Sequence, residues 1–360
     1  NEKMRCFVES IYYVLTWACH RRCKHCYDTR FRPYVRGALE NVLGESDTHY
    51  RKIIDNFPDS MVYKDPAHLD TNGEPEKRIG RIIVAGGEVL IDPVRERIFY
   101  PTLDALNQKY GKNGVRLSMQ TTGDLVTPRI IDELLERNIW MLAIAGMDDF
   151  HVGMEGDKRL PLVEKLTRMF ENAGMQPVPA PSTGRDHLTE AGPFYFFFGA
   201  QPDKWIGELW PRGRAWENSL SKADINTNFC ARHSGGRNFL NHGFAGAEVS
   251  IEPDGSVYPC CLKTKQPIGN VAEEKLIDIL DSLKGHPVFE ALNRGEPDRM
   301  GLSHGWSAEK FFAASETTMP DGTPFANLCI GCDRFHEEVM SPVIKELAEK
   351  RKATRLAIRR

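Results

Sequence analysis

The chain lacks several features that would assign it quickly. No run of eighteen or more apolar residues occurs in its 360 positions, so no membrane-spanning helix is expected. The opening residues NEKMRCFVES lack the apolar core of a signal peptide, which makes the cytoplasm the expected location. Charge of one sign is scarce: the formal net charge is -3, which excludes bulk attraction to nucleic acid or to an anionic membrane. There is no internal repeat and no low-complexity segment. Paired thiols are missing too, because the nine cysteines are odd in number and clustered. They stand at 6; at 19, 23 and 26; at 230; at 260 and 261; and at 329 and 332. Tight clusters in a cytosolic chain argue for metal ligation rather than disulfides.

What is present allows one large α/β domain and a smaller one, with 41% apolar residues to build the cores. IYYVLTW (11–17) is β-branched and aromatic and reads as a buried strand that runs into the first cysteine set. RIIVAGGEVLI (81–91), VRLSMQTTG (115–123) and WMLAIAGM (140–147) read as further strands, and QPVPAP (176–181) and FYFFFGA (194–200) as two more. Helices are expected over 98–110, over 127–138 with Thr127 as N-cap and Pro128 in first position, and over 159–174 with a stop at Gly174. This alternation predicts a parallel sheet or barrel whose sites lie on the loops after the strands. After about residue 225 the character changes. EVSIEPDGSVYPCC reads as a hairpin turning at Asp254-Gly255. AEEKLIDILDSL and HPVFEALN read as short helices, and a basic helix closes the chain. The expected division is 1–225 and 226–360.

The segment TWACHRRCKHCYD (16–28) carries Cys19, Cys23 and Cys26 as C-x3-C-x2-C. A closed zinc site needs four ligands, and His20 or His25 is the available fourth. The other reading is that three thiolates hold three irons of a 4Fe–4S cube and leave the fourth iron open. This motif, after the first strand of an α/β chain, resembles the radical S-adenosylmethionine (radical SAM) superfamily. The resemblance implies a partial (β/α)6 barrel. It also implies S-adenosyl-L-methionine on the open iron and a 5′-deoxyadenosyl radical that abstracts hydrogen from a substrate. Relatives often have an aromatic residue before the third cysteine, where His25 stands here.

Other elements fit that resemblance. Gly86, Gly87 and Glu88 end the second strand, where a Gly-Gly-Glu in the family binds the methionine amino group. Ser118 and Thr122 offer hydroxyls to the ribose or carboxylate, with Thr122-Gly123 where relatives often carry Asn-Gly. Ala145 stands where a serine is common. Asp148, Asp149 and His151 follow the fourth strand as candidate catalytic groups. Arg214, in WPRGRAW, is similar to a late barrel element and is expected to pair with a carboxylate of cofactor or substrate. IEPDGSVYPCC followed by GNV resembles the SPASM or Twitch extension, which implies an auxiliary 4Fe–4S cluster. Cys230, Cys260, Cys329 and Cys332 are its expected ligands, with Cys261 spare and Cys6 a buried thiol. Four thiols favour electron transfer over substrate binding at that cluster. A reductant such as flavodoxin or ferredoxin is the expected partner. The substrate is expected to be a small molecule that is oxidised or rearranged, because no leader-binding domain precedes the first strand. The alternative is a ribosomally made peptide. A zinc-stabilised protein without redox chemistry is the reading from a different class.

Overall fold

The computed structural model describes residues 6–179, 191–200, 208–232, 235–240 and 248–358. Ala180 and Pro181 of the QPVPAP run, the first five residues and the last two of the basic tail lie outside them. The chain divides into two compact units. One comprises Tyr13–Arg51 and Arg78–Lys222; the other comprises Asn1–Tyr12, Lys52–Lys77 and Ala223–Arg360. The main division falls between Lys222 and Ala223, and two earlier segments go with the C-terminal part.

The first unit is built on strands β1 (Ser10–Thr16, of which it holds Tyr13 onward), β2 (Arg81–Gly86), β3 (Arg116–Thr121), β4 (Ile139–Ile144), β5 (Gln176–Pro177) and β6 (Phe194–Phe197). Every residue of β1 and β4 is buried, as expected of strands covered on both faces. The order is β1-β2-β3-β4-β6-β5. The pairs β2·β3, β3·β4, β4·β6 and β5·β6 are parallel. Among the described residues the sheet is open, as a partial barrel is. Its last two strands exchange places relative to chain order, because β6 rather than β5 pairs with β4 through Met141↔Phe194 to Ile144↔Phe197.

The helix Pro128–Glu136 starts as its sequence dictates: Thr127 Oγ1 accepts the Ile130 amide at 3.2 Å, and Ile130, Ile131 and Leu134 are buried. The helix Leu160–Asn172 stops before Gly174, whose φ of 79° suits glycine. The 98–110 helix differs from expectation: Arg95–Phe99 forms a π-turn that leads into Tyr100–Tyr110.

In the second unit, β7 (Glu248–Ile251), β8 (Ser256–Tyr258) and β9 (Gly269–Asn270) form an antiparallel meander. Its first turn is at Gly255, with φ 89°. Helices Leu276–Leu283 and Pro287–Asn293 follow, and Ser341–Ile358 closes the chain. A buried pair of Arg351 and Glu274, with contacts at 2.8 and 2.9 Å, holds that last helix to the unit. The hairpin Val62–Leu69 with Pro75–Ile79 was not legible in the sequence, because Pro66 and the polar run that follows it mask any alternation. Among the described residues no helix is long and apolar enough to cross a membrane.

Candidate active site

The first cysteine set lies on the loop after β1. That loop folds back on itself: Ala18 bridges Arg32, and the Cys19 amide donates to the Arg32 carbonyl at 3.0 Å. Cys19 and Cys23 are buried and Cys26 is partly so. The Arg21 amide donates to Cys19 Sγ and the Val152 amide to Cys23 Sγ, both at 3.4 Å. Burial pushes the Cys26 thiol up to about 12, with Cys23 and Cys19 adding to the effect. Burial likewise raises Cys23. Thiols so placed ionise only beside a compensating cation, which is the donor chemistry of a metal centre.

Two side chains from later in the sequence clamp this loop. Arg214 is 4% exposed. Its guanidinium donates to the carbonyls of Cys23 at 2.8 Å, Thr29 at 3.1 Å and Phe31 at 2.6 Å. Its own amide donates to the Cys26 carbonyl at 2.8 Å. The expectation that Arg214 pairs with a ligand carboxylate is therefore corrected: its donors face main-chain oxygens of the cysteine loop. The second clamp is Asp124, which sequence reasoning passed over. Its carboxylate accepts from His20 Nε2 and from the Arg21 guanidinium, each at 2.8 Å. The hydrogen bond to Asp124 pushes the His20 imidazole up to about 10.

The Gly86-Gly87 turn lies directly against the loop. The Gly87 amide donates to the Thr16 carbonyl at 2.9 Å and the Glu88 amide to the Ala18 carbonyl at 2.8 Å. A Cβ on Gly87 would stand 2.1 Å from the Ala18 oxygen, so no larger residue fits. Glu88 is fully buried. It accepts from the Leu90 amide, the Thr121 hydroxyl, the Thr122 amide and the Thr122 hydroxyl, at 2.8 to 3.0 Å. Burial raises its pKa, and these donors oppose the rise. Glu88 thus braces β2 to β3, with its carboxylate committed to these donors. Thr122 Oγ1 is likewise held between Glu88 and Asp124. Ser118 lies inside β3, opposite Ile83 of β2. Its hydroxyl is buried without a hydrogen-bond partner and is not at the strand end where a ribose contact was expected.

After β4 the three expected catalytic groups separate. Asp148 is fully buried and accepts from the amides of Phe150, His151 and Ala200 at 2.9 to 3.1 Å and from His151 Nδ1 at 2.9 Å. Burial opposes its ionisation, but His151 and these amides hold its carboxyl well below the usual range. His151 is thereby fixed, with its ring 4.3 Å from that of His25 on the cysteine loop. Burial, then His151, pushes His25 down to about 3, so it is neutral. Asp149 instead points to solvent, accepting from the Gly156 amide at 2.8 Å and from Arg159 at 3.0 Å; it closes a loop.

The second cysteine set forms in the other unit. Asn327 caps the helix Leu328–Phe335, which presents Cys329 and Cys332 one turn apart. Cys230 sits on the short helix Phe229–Ala231, and Cys260 follows β8. Burial raises Cys332 strongly, and Cys230, Asp333, Cys260 and Cys329, all within electrostatic reach, push it further. Cys261 turns away, donating to Glu248 Oε1 at 3.3 Å, while Ser10 donates to Glu248 Oε2 at 2.8 Å. Cys6 is a buried thiol donating to the Leu240 carbonyl, pushed up to about 12 by burial.

Four sulfurs about 2.3 Å from one tetrahedral zinc stand about 3.8 Å apart. Among the described residues, only His25, Asp148 and His151 form a group of three or more metal-ligating side chains with all ligand atoms within 4.8 Å of one another. No three thiols of either cysteine set lie within that distance of one another. In the His25–Asp148–His151 group Asp148 already has four donors, one of them His151 Nδ1, while His25 meets His151 through its ring.

Comparison with known proteins places part of this chain. Residues 245–298 match SPASM, an iron–sulfur cluster-binding domain. Among curated proteins none matches the chain in sequence. Of solved structures, BtrN in complex with AdoMet and 2-DOIA is 13% identical with a TM-score of 0.41, over 81% of this chain and 89% of BtrN. SuiB of Streptococcus suis bound to its precursor peptide SuiA is 11% identical with a TM-score of 0.41, over 80% of this chain and 67% of SuiB. SuiB bound to S-adenosylmethionine gives 11% and 0.40, over 80% and 68%.

Proposed function

We propose that this chain is a radical S-adenosylmethionine enzyme with a SPASM-type auxiliary cluster, and that it oxidises a small organic substrate at a C–H bond. The observation that carries the proposal is the clamped loop. It holds the buried Cys19 and Cys23 and the partly buried Cys26 beside the Gly86-Gly87 turn. Cys19, Cys23 and Cys26 would hold the first cluster, and Cys230, Cys260, Cys329 and Cys332 the second. With S-adenosylmethionine bound, the first cluster supplies a 5′-deoxyadenosyl radical that takes a hydrogen atom from the substrate.

The residues of the chain do the rest. Gly86 and Gly87 let main-chain atoms approach a ligand that side chains would block. Asp148 holds His151 through Nδ1, which leaves Nε2 to accept a proton from the substrate, and the carboxylate stabilises the imidazolium that forms. The cluster that Cys230, Cys260, Cys329 and Cys332 would hold would supply an acceptor for one electron. A hydrogen atom, a proton and an electron together make a two-electron oxidation. A peptide residue bearing the same C–H group is the alternative substrate.

Anaerobic iron and sulfide quantification with EPR tests this. About eight irons are expected in the parent and about four in the Cys19/Cys23/Cys26 triple-alanine variant. No iron after reconstitution would return the chain to a non-redox protein. About four irons in the parent and none in the variant would remove the electron acceptor.

A further inference from the structure

The helix that carries Cys329 and Cys332 holds a buried polar group that the chemistry above does not use. His336 follows Cys332 by four residues and is 1% exposed. Its amide donates to the Cys332 and Asp333 carbonyls, so regular helical register runs from Leu328 up to it. At 3.6 residues per turn, Cys329, Cys332 and His336 fall within about 60° of one another around the helix axis. Phe335 faces elsewhere, towards Trp306 and His304. Helical side chains lean back over the preceding turn, which for His336 is the turn of Cys332. β-Carbons four residues apart are about 6 Å apart, a gap that an imidazole spans. From His336 onward the helix widens into a π-turn, His336–Met340. Such turns occur frequently at functional sites.

The surroundings of these thiols favour a donor at that place. The largest charge effects on Cys332 come from Cys230, Asp333, Cys260 and Cys329, and each opposes negative charge on its sulfur. The other nitrogen-bearing side chains of these segments are committed. Arg334, the only other one on the helix, is exposed and donates to the Ala314 and Glu316 carbonyls, both at 2.8 Å. Asn327, the cap, donates to the carbonyls of Asp224 and Thr227. After the Cys260-Cys261 pair, Lys263 meets Glu252 at 2.8 Å and Lys265 meets Glu337 at 3.5 Å.

We propose that His336 donates a hydrogen bond to sulfur on the Cys332 side of the cluster held by Cys230, Cys260, Cys329 and Cys332. It thereby raises the potential at which that cluster accepts its electron. The inference rests on the function proposed above. In the step, the substrate radical loses one electron and the cluster gains it; the proton of His336 stays on its ring and no bond breaks there. The reduced cluster is the more negative form, and a donor to sulfur favours that form. A histidine that only filled space would leave the potential where it was.

Potentiometric EPR titration tests this in the Cys19/Cys23/Cys26 triple-alanine variant, where the auxiliary cluster is the one expected. Three changes are compared in that background. His336→Phe keeps a ring and removes both nitrogens, His336→Leu removes them at smaller size, and His336→Gln keeps an N–H donor. At a fixed ambient potential the ratio of reduced to oxidised cluster is expected to fall about tenfold in the first two, a shift of about 59 mV for one electron. Iron should stay at about four per chain, and His336→Gln should recover most of the shift. Equal potentials in all four proteins would overturn the hydrogen bond. So would a fall as large in His336→Gln as in His336→Phe. Loss of the iron from both apolar variants would overturn it too, as the mark of a packing role. A background variant without iron would sink the proposed function, and the inference with it.

Discussion

Replacing Arg214 by methionine keeps most of the buried volume and removes every donor. Three guanidinium bonds would be lost, to the carbonyls of Cys23, Thr29 and Phe31. A buried acceptor left unmade costs roughly 1–3 kcal/mol, so about 1 kcal/mol for each of three gives a loss of about 3 kcal/mol. At about 1.4 kcal/mol per decade, the local opening equilibrium of the loop should rise by a factor on the order of 150. The assay is amide hydrogen exchange of the cluster-free protein. The Cys19 amide, which donates to Arg32, reports on the closed loop. The β4 amides over 139–144 serve as the internal control. Arg214→Lys should fall between the two, since an ammonium cannot reach three divergent carbonyls. If the Cys19 amide exchanges at the parent rate in Arg214→Met, the clamp is not what orders the loop, and the physical argument for Arg214 is wrong.

Two further outcomes follow from the same geometry. Gly87→Ala should lose the first cluster's iron and keep the second's, because its Cβ would meet the Ala18 carbonyl at 2.1 Å and displace the loop; iron quantification on the purified variant reads this directly. Cys260→Ala should lose the auxiliary iron while Cys261→Ala retains it, since the Cys261 thiol already faces Glu248; EPR of the two variants decides between them.

Much of this was legible in the sequence, for physical reasons. Strands β1 and β4 of the first unit are buried at every residue, and a run such as SIYYVLT has no use outside a covered sheet. The cysteine spacing and the Gly-Gly turn announce themselves because few other residues perform those tasks. What escaped was whatever depends on partners distant in sequence. Arg214 looked like a ligand-binding arginine because its partners are main-chain carbonyls more than 180 positions earlier, which leave no side-chain signature. Asp124 was read past because His20 and Arg21, its partners, are over 100 positions away. Asp148 and Asp149 are chemically identical neighbours. Only the turn after β4 decides that one is buried under four donors and the other meets solvent. The exchanged order of β5 and β6 depends on tertiary pairing alone.

The saturation of Glu88 changes how substitutions at this turn should be interpreted. Its carboxylate is committed to Leu90, Thr121 and Thr122, so a ligand bound at this turn, as proposed, would meet peptide groups rather than a side chain. Recognition by peptide groups is invisible to an alanine scan, because no replacement deletes a carbonyl. A Glu88→Ala enzyme that failed to bind its ligand would have lost the brace between two strands, and would say nothing about what the ligand touches. Backbone chemistry, such as an ester in place of a single amide at this turn, is the perturbation that reports on the contact itself.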